Sequence, residues 1–155
     1  MTALSTSAIA ALSTLQLAVI GTDQFSAFSA RQIAALTTKQ LASISTLQIG
    51  VLTTADINAL QTAKITALTT AQIAALSSTQ FMALRTATLT AMTSAQIAAI
   101  ETADLAALSI KQISALTSFQ ISMLTTGQIG ALTTAEFAAL RSSRIASLTT
   151  AQIAA

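Results

Sequence analysis

The chain has 155 residues, of which 53% are hydrophobic, 8% charged and 3% aromatic, and its formal net charge is +2. The seven basic residues are scattered without a Lys/Arg run, so the chain lacks the charge pattern of a nucleic-acid-binding protein. Cysteine and histidine are absent, which removes disulfides and most metal, nucleophile and general-base arrangements. The composition therefore predicts no enzyme, no cofactor, no metal site and no nucleic-acid partner.

The mean hydropathy of +0.72 is high enough to raise the question of a membrane protein. A spanning helix needs about 20 consecutive apolar residues, whereas Thr, Ser or Gln interrupts this chain every few positions. Residues 1–6 contain no basic segment followed by an apolar run, so no signal peptide is expected. The sequence thus predicts no transmembrane segment. Its last repeat ends flush at Ala155, which is typical of a piece of a longer array, with a complete short protein as the alternative interpretation.

From Leu4 to Ala155 one eight-residue phrase is repeated nineteen times without insertion or deletion. We number the positions of this octad 1 to 8; the phrase is Leu-Thr-Thr-x-Gln-Ile-x-Ala, as in residues 68–75. Position 1 is Leu, Ile, Met or Phe and position 6 is Ile, Leu or Phe in every copy. Such an unbroken register indicates units that stack on their neighbours, so residues 1–155 are predicted to form a single repeat array.

A continuous helix cannot use this spacing of apolar residues. At 100° per residue, positions 1 and 6 lie about 140° apart, and each octad rotates the pattern by a further ~80°. The period of eight also matches neither the seven-residue nor the eleven-residue supercoil repeat. A long straight helix and a coiled coil are therefore excluded.

A helix that restarts in every octad fits the pattern. Position 2 is Ser or Thr and position 5 is Gln, Asp or Glu in most copies, as in Thr37/Gln40. That spacing is a capping box, and it places positions 1 and 6 where a hydrophobic staple would pair them, as with Leu36 and Leu41. Each octad is predicted to hold one helix of about six residues. The predicted fold is all-α, a solenoid of very short capped helices that bends at each N-cap.

A β-solenoid is the alternative, because Thr and Ile suit strands. Against it, positions 1 and 6 fall on opposite faces of an unbroken strand. Solenoid corners also favour Gly, Asn, Asp or Pro, and this chain has four Gly and no Pro. The Ala residues at positions 7 and 8 and Gln at position 5 favour helix as well.

A longer period of five octads, a 40-residue super-repeat, overlies the phrase. Position 2 lacks Ser or Thr at this spacing in four octads, at Gly21, Gln61, Glu101 and Arg141. Position 5 of the same octads reads Gln24, Lys64, Asp104 and Arg144. Two interpretations remain open: duplication of a 40-residue block, or a geometry in which residues five octads apart stack. The second predicts an exposed charge ladder with Lys64 beside Glu101 and Asp104, and these beside Arg141 and Arg144.

No catalytic, cofactor-binding or metal-binding residue is predicted. Glu101 and Asp104 share a helix face, but their capping positions favour a solvated helix N-terminus over a catalytic or cation-binding pair. Five large apolar residues fall outside positions 1 and 6 and are interpreted either as partner contacts or as covers for a seam between helices. They are Leu15, Leu47, Met82, Phe119 and Met123.

The phrase as a whole resembles the Ala/Leu/Thr/Gln-rich octapeptide arrays of large bacterial surface or secreted proteins. This resemblance implies a structural or adhesive stalk outside a bacterial cell; the residues themselves say nothing about localisation. The first functional hypothesis is a non-enzymatic scaffold or spacer, whose uncapped terminal repeats could stack end to end with another copy. The alternative is a binding surface made of the repeated Thr residues, adhesive or ice-binding.

Overall fold

The computed structural model describes residues 4–154. This part of the chain contains nineteen α-helices and no strand, which confirms the all-α prediction and makes the β-solenoid alternative wrong. None of these helices has the length and apolar character that a membrane crossing requires. In chain order the helices are α1 Thr6–Ala11, α2 Thr14–Ala18, α3 Thr22–Ser26, α4 Ala30–Ala35, α5 Thr38–Ser43, α6 Thr46–Gly50, α7 Thr54–Ala59, α8 Thr62–Ile65, α9 Thr70–Ala74, α10 Ser78–Met82, α11 Thr86–Ala91, α12 Ser94–Ala98, α13 Thr102–Ala106, α14 Ile110–Ile113, α15 Ser118–Ser122, α16 Thr126–Gly130, α17 Thr134–Ala138, α18 Ser142–Ile145 and α19 Thr150–Ile153.

Every helix begins at position 3 of its octad, so position 2 is the N-cap throughout the described chain. The N-cap backbone is extended, as at Thr37 with φ −72° and ψ 162°, and the chain changes direction there. Thr37 Oγ1 accepts from the amide N–H of Gln40 at 3.2 Å, and Gln40 Oε1 accepts from the amide N–H of Thr37 at 2.7 Å. This reciprocal pair is the predicted capping box. It supplies donors and acceptors that a helix of so few residues cannot supply itself.

The helices coil into a solenoid in which each one packs against the helix three octads further along, as α1 does with α4 and α4 with α7. Side-chain hydrogen bonds between turns reach further back along the chain. Gln40 Nε2, for example, donates to the carbonyl oxygens of Leu12 and Ile9, which lie 28 and 31 residues earlier. One turn therefore takes between three and four octads.

The predicted stacking of residues five octads apart is wrong. The helices that hold Lys64, Asp104 and Arg144 are α8, α13 and α18, and each packs three octads away: α8 on α5, α13 on α10 and α18 on α15. Five octads therefore do not make a whole number of turns, and the proposed charge ladder has no geometric basis. The 40-residue period remains a feature of the sequence, and block duplication is the interpretation left for it.

The core is a column of position 1 and position 6 side chains, and the two positions face opposite ways along the solenoid. In the first turn, Ile9 and Leu17 at position 6 are fully buried, whereas Leu4 at position 1 is exposed. In the last turn the order reverses: Leu148 at position 1 is buried and Ile153 at position 6 is 67% exposed. Position 1 therefore packs against the preceding turn and position 6 against the following turn.

Candidate functional site

The side chain at position 5 lies buried in the seam between successive turns. Gln80 is 3% exposed, and its two ends serve different turns. Its Oε1 accepts from the backbone N–H of Ser77 at 2.7 Å, which caps its own helix α10. Its Nε2 donates to the carbonyl oxygens of Ile49 at 3.0 Å and Leu52 at 2.7 Å, at the end of α6 one turn earlier. One amide thus caps the start of one helix and the end of another.

This two-sided bridge recurs along the solenoid, and we call the set the glutamine ladder. Between residues 4 and 154, ten Gln side chains donate from Nε2 to carbonyl oxygens 28 to 31 residues earlier. They are Gln32, Gln40, Gln48, Gln72, Gln80, Gln96, Gln112, Gln120, Gln128 and Gln152. All ten are buried.

The chemistry of the site explains why this position favours Gln. A primary amide carries one acceptor oxygen and two donor hydrogens, whereas a carboxylate carries acceptors alone. The last carbonyls of a helix have no partner within it, and leaving them unpaired on burial costs free energy. Each intramolecular hydrogen bond contributes about 0.5–1.5 kcal/mol, and the penalty for a buried carbonyl left without a donor is of similar or larger size.

Four octads depart from the phrase at intervals of five octads. In two of them, position 5 holds a cation instead of Gln. Lys64 Nζ donates to the carbonyl oxygen of Ala34, and Arg144 Nε donates to that of Leu116, again one turn earlier. A cation has no acceptor, so it cannot complete a capping box. The N-cap side chains of these two helices, α8 and α18, make no cap hydrogen bond either. The link between turns is thus kept where the local cap is lost.

Two of the carboxylates at position 5, Glu136 and Asp56, make the opposite exchange. Glu136 is 5% exposed, and its Oε2 accepts from the backbone N–H of Thr133 at 2.7 Å and from Thr133 Oγ1 at 2.8 Å. Asp56 caps Thr53 in the same way. An ionised carboxylate has no hydrogen to donate to the carbonyl oxygens of the preceding turn. These helices therefore keep their cap and lose the link between turns.

We expect Glu136→Gln to stabilise the protein by about 1 kcal/mol, because the new amide would cap Thr133 and also donate to the carbonyls of Leu108 and Leu105. These two carbonyls stand at the offsets along the chain at which internal ladder Gln side chains find theirs. Urea unfolding followed by circular dichroism measures the change. The control is Glu101→Gln, since Glu101 is exposed and its side chain makes no cap hydrogen bond. Equal midpoints for the two variants would contradict the role given to the donor.

The two members of the acidic pair singled out from the sequence have different surroundings. Glu101 is an exposed N-cap, whereas Asp104 is half-buried and accepts from Ser78 Oγ at 2.5 Å. Asp104 thereby joins α13 to α10 of the preceding turn. It lies at position 5, which holds Gln in most octads. No group of three or more acidic, His or Cys residues that could hold a metal ion occurs among residues 4–154.

The five apolar outliers lie on the outside of the solenoid. Leu15, Leu47 and Phe119 are 79%, 72% and 64% exposed, and Met82 and Met123 are about half exposed. Side chains with this much exposure do not seal a gap between helices, so the interpretation as seam covers is wrong for Leu15, Leu47 and Phe119. The surrounding surface consists of positions 2 to 4, which are Thr, Ser and Ala in most octads.

Sequence reasoning found the cap made by position 5 and missed its second partner. A usable signal was present: position 5 holds Gln in twelve octads and an acid in three. A position that only caps a helix N-terminus should favour Asp or Glu, because a carboxylate also interacts well with the helix dipole. The strong preference for a neutral amide therefore indicates that a donor is needed as well.

Comparison with known proteins gives a family and no individual relative. No curated protein and no solved structure matches the chain. The ALTTAQ repeat matches residues 17–54, 27–62, 52–86 and 97–134, which together cover more than half of the chain. The name of the repeat reads along positions 8, 1, 2, 3, 4 and 5 of the octad, so it ends on the Gln of the ladder. The chain belongs to the ALTTAQ repeat family.

Proposed function

We propose that the chain is a non-enzymatic structural protein that serves as a scaffold or spacer. The glutamine ladder carries this proposal, because it ties each turn to the one before it by the same hydrogen bonds at the same spacing. Most of the polar side chains buried in the described core are ladder Gln side chains that join turns, as with Gln80 between Ser77, Ile49 and Leu52. In this function the protein sets a distance, because the length of the solenoid depends on the number of octads.

Two further observations support a spacer. The outer surface at positions 2 to 4 carries small hydroxyl and methyl groups with few charges, which suits an inert shaft. The likeness of the phrase to octapeptide arrays in bacterial surface proteins supports a stalk in particular. Repeat proteins of this kind gain stability from contacts between neighbouring units, so whole units can be added or removed.

A pair of deletions tests the proposal. Removal of residues 68–91, three whole octads, joins Ala67 to Met92 in register, so every ladder Gln still meets carbonyls at its usual offset along the chain. We expect this variant to stay helical and to show a shorter maximum dimension in solution scattering. The matched control removes residues 68–87, which breaks the octad register, and is expected to lose helix content. A whole-octad variant that unfolds, or that keeps the original maximum dimension, would contradict the proposed spacer function.

The Thr-array alternative gains no support from the geometry. An array that matches a flat lattice needs Thr residues at strand-like spacing, and residues 4–154 contain no strand. Many of the N-cap hydroxyls also accept from their own helices, as at Thr69 and Thr117. The proposed spacer is accordingly expected to show no ice shaping and no thermal hysteresis.

A further inference from the structure

The hydrogen bonds between turns are unevenly distributed along the solenoid. Gln48 and Gln72, three octads apart, each donate to two carbonyl oxygens of the preceding turn. In octads 7 and 8 between them, residues 52–67, one side chain makes such a bond: Lys64 Nζ donates to the carbonyl oxygen of Ala34. Because one turn takes between three and four octads, a single side-chain hydrogen bond joins most of one turn to the turn before it.

Octad 7 contributes no donor to this seam. Asp56 is 5% exposed, and its Oδ2 accepts from the backbone N–H and from Oγ1 of Thr53. The carbonyls of Phe28 and Phe25 stand 28 and 31 residues before Asp56, the offsets at which ladder Gln side chains find theirs. An ionised carboxylate offers neither of them a hydrogen, so this part of the seam holds acceptors alone.

Octad 8 lacks local support as well. Its helix α8 is four residues long, and the N-cap residue Gln61 makes no side-chain cap hydrogen bond. Lys64 has no acceptor, so it cannot complete a capping box from position 5. The first N–H groups of a helix have no partner within it, and a helix this short is unstable without outside contacts. Octad 8 therefore depends on its packing more than a capped octad does.

The apolar core continues unbroken through both octads. Ile57, Leu60 and Ile65 are 2%, 4% and 0% exposed. Burial of apolar surface is non-directional, whereas a hydrogen bond needs its donor and acceptor at a set distance and angle. A seam that is held mainly by apolar contacts can therefore shift or open by small amounts that a ladder of hydrogen bonds would oppose.

We infer that residues 52–67 form a joint, at which the turns of the solenoid separate and bend more easily than they do where the glutamine ladder is complete. The inference rests on the spacer function and adds to it, because the spacer then consists of stiffer segments connected by a region that yields. The same order of residues, an acid at position 5 followed by a cation at position 5 of the next octad, returns ten octads later at Glu136 and Arg144. Helix α18, which holds Arg144, lacks a side-chain cap hydrogen bond too.

Native-state amide hydrogen exchange of the unaltered protein, followed by mass spectrometry, measures how readily each octad opens. The internal control is α14, which has four residues like α8, but is capped by Ser109 and holds Gln112, a donor to three carbonyl oxygens of the preceding turn. After correction for intrinsic exchange rates, we expect the amides of α7 and α8 to exchange at least about tenfold faster than those of α14, the factor that corresponds to one or two lost hydrogen bonds. Equal exchange would overturn the joint.

Two variants separate the effect of the seam from that of the cap. Asp56→Gln combined with Lys64→Gln places an amide at position 5 of both octads, and we expect it to slow the exchange of α7 and α8 to the level of α14. The control, Gln61→Thr, gives α8 a cap hydroxyl and adds no donor to the seam, so the exchange of α7 should stay unchanged. The joint is wrong if the double variant has no effect, or if the control slows α7 equally. Circular dichroism checks that both variants keep the helix content of the unaltered protein.

Limited digestion with a lysine-specific protease gives an independent measurement, because the chain has three lysines. Lys64 is half-buried and hydrogen-bonded, whereas Lys39 and Lys111 are exposed and lie in octads whose Gln bridges two turns. A uniformly stiff solenoid would be cut first at the exposed lysines, whereas a joint is cut first at Lys64. First cleavage at Lys39 or Lys111 would therefore contradict the joint.

Failure of the joint can be told apart from failure of the spacer function. The deletion of residues 68–91 leaves residues 52–67 in place and tests length alone. If this deletion shortens the protein while residues 52–67 exchange and are cleaved no faster than the rest, the spacer function stands and the joint is wrong.

Discussion

Gln80→Glu is expected to destabilise the array by about 2–4 kcal/mol, because it removes the amide group that donates to the carbonyl oxygens of the preceding turn and puts a carboxylate against them. The Nε2 of Gln80 serves Ile49 and Leu52, and a carboxylate in its place would face their oxygens with negative charge. The cap on Ser77 would survive, since it uses the acceptor end of the side chain. The loss therefore isolates the bond between turns from the bond within the octad.

Gln16→Glu is the matched control for this prediction. Gln16 caps Ser13 in the same way but is exposed, and no earlier turn among the described residues bonds its Nε2. Its replacement is expected to change stability by no more than about 0.5 kcal/mol at concentrations where the protein is monomeric. Urea unfolding compares the two variants, and amide hydrogen exchange at the end of α6 shows where the loss acts. Equal effects of the two substitutions would mean that the ladder does not hold the turns together.

Phe81→Ala is expected to cost about 3–5 kcal/mol through lost burial and the cavity it leaves. Phe81 is fully buried at position 6 of α10, near the middle of the described chain. Since a repeat array is stabilised by contacts between neighbours, a defect there should divide cooperative unfolding into separate transitions on either side.

Phe119→Ala is the control, because it removes the same side chain from position 4, where Phe119 is 64% exposed. Its expected effect is within about 0.5 kcal/mol. Thermal unfolding followed by circular dichroism and calorimetry would measure both variants. A single sharp transition with an unchanged midpoint in Phe81→Ala would contradict the described core.

The local half of this fold could be predicted from the sequence, and the half that depends on distance along the chain could not. The N-cap at position 2 follows from residues within one octad, such as Thr37 and Gln40, so it was found in the correct register. The number of octads per turn depends on the angle between helices at each N-cap and on how the turns pack. Neither property can be predicted from the eight-residue phrase.

The predicted charge ladder shows how this gap produces an error. Lys64, Asp104 and Arg144 stand at intervals of five octads, and alternating charges at a fixed interval indicate stacking only if the interval equals a whole number of turns. The structure gives them partners 26 to 30 residues away instead: Ser78 for Asp104, Ala34 for Lys64 and Leu116 for Arg144. The bonds of Lys64 and Arg144 are of the kind that the ladder makes elsewhere with Gln, whereas Asp104 joins the turns by accepting from a serine hydroxyl.

The ladder also gives the protein an order of assembly during synthesis. Each Gln donates to carbonyls made 28 to 31 residues before it, as Gln40 does to Leu12 and Ile9. A nascent octad that leaves the ribosome thus finds its acceptors on chain that has already emerged. Because domains fold as their N-terminal parts appear, the solenoid can grow one octad at a time from its first turn. A longer array therefore needs no contacts between residues further apart in the sequence than those of a short one.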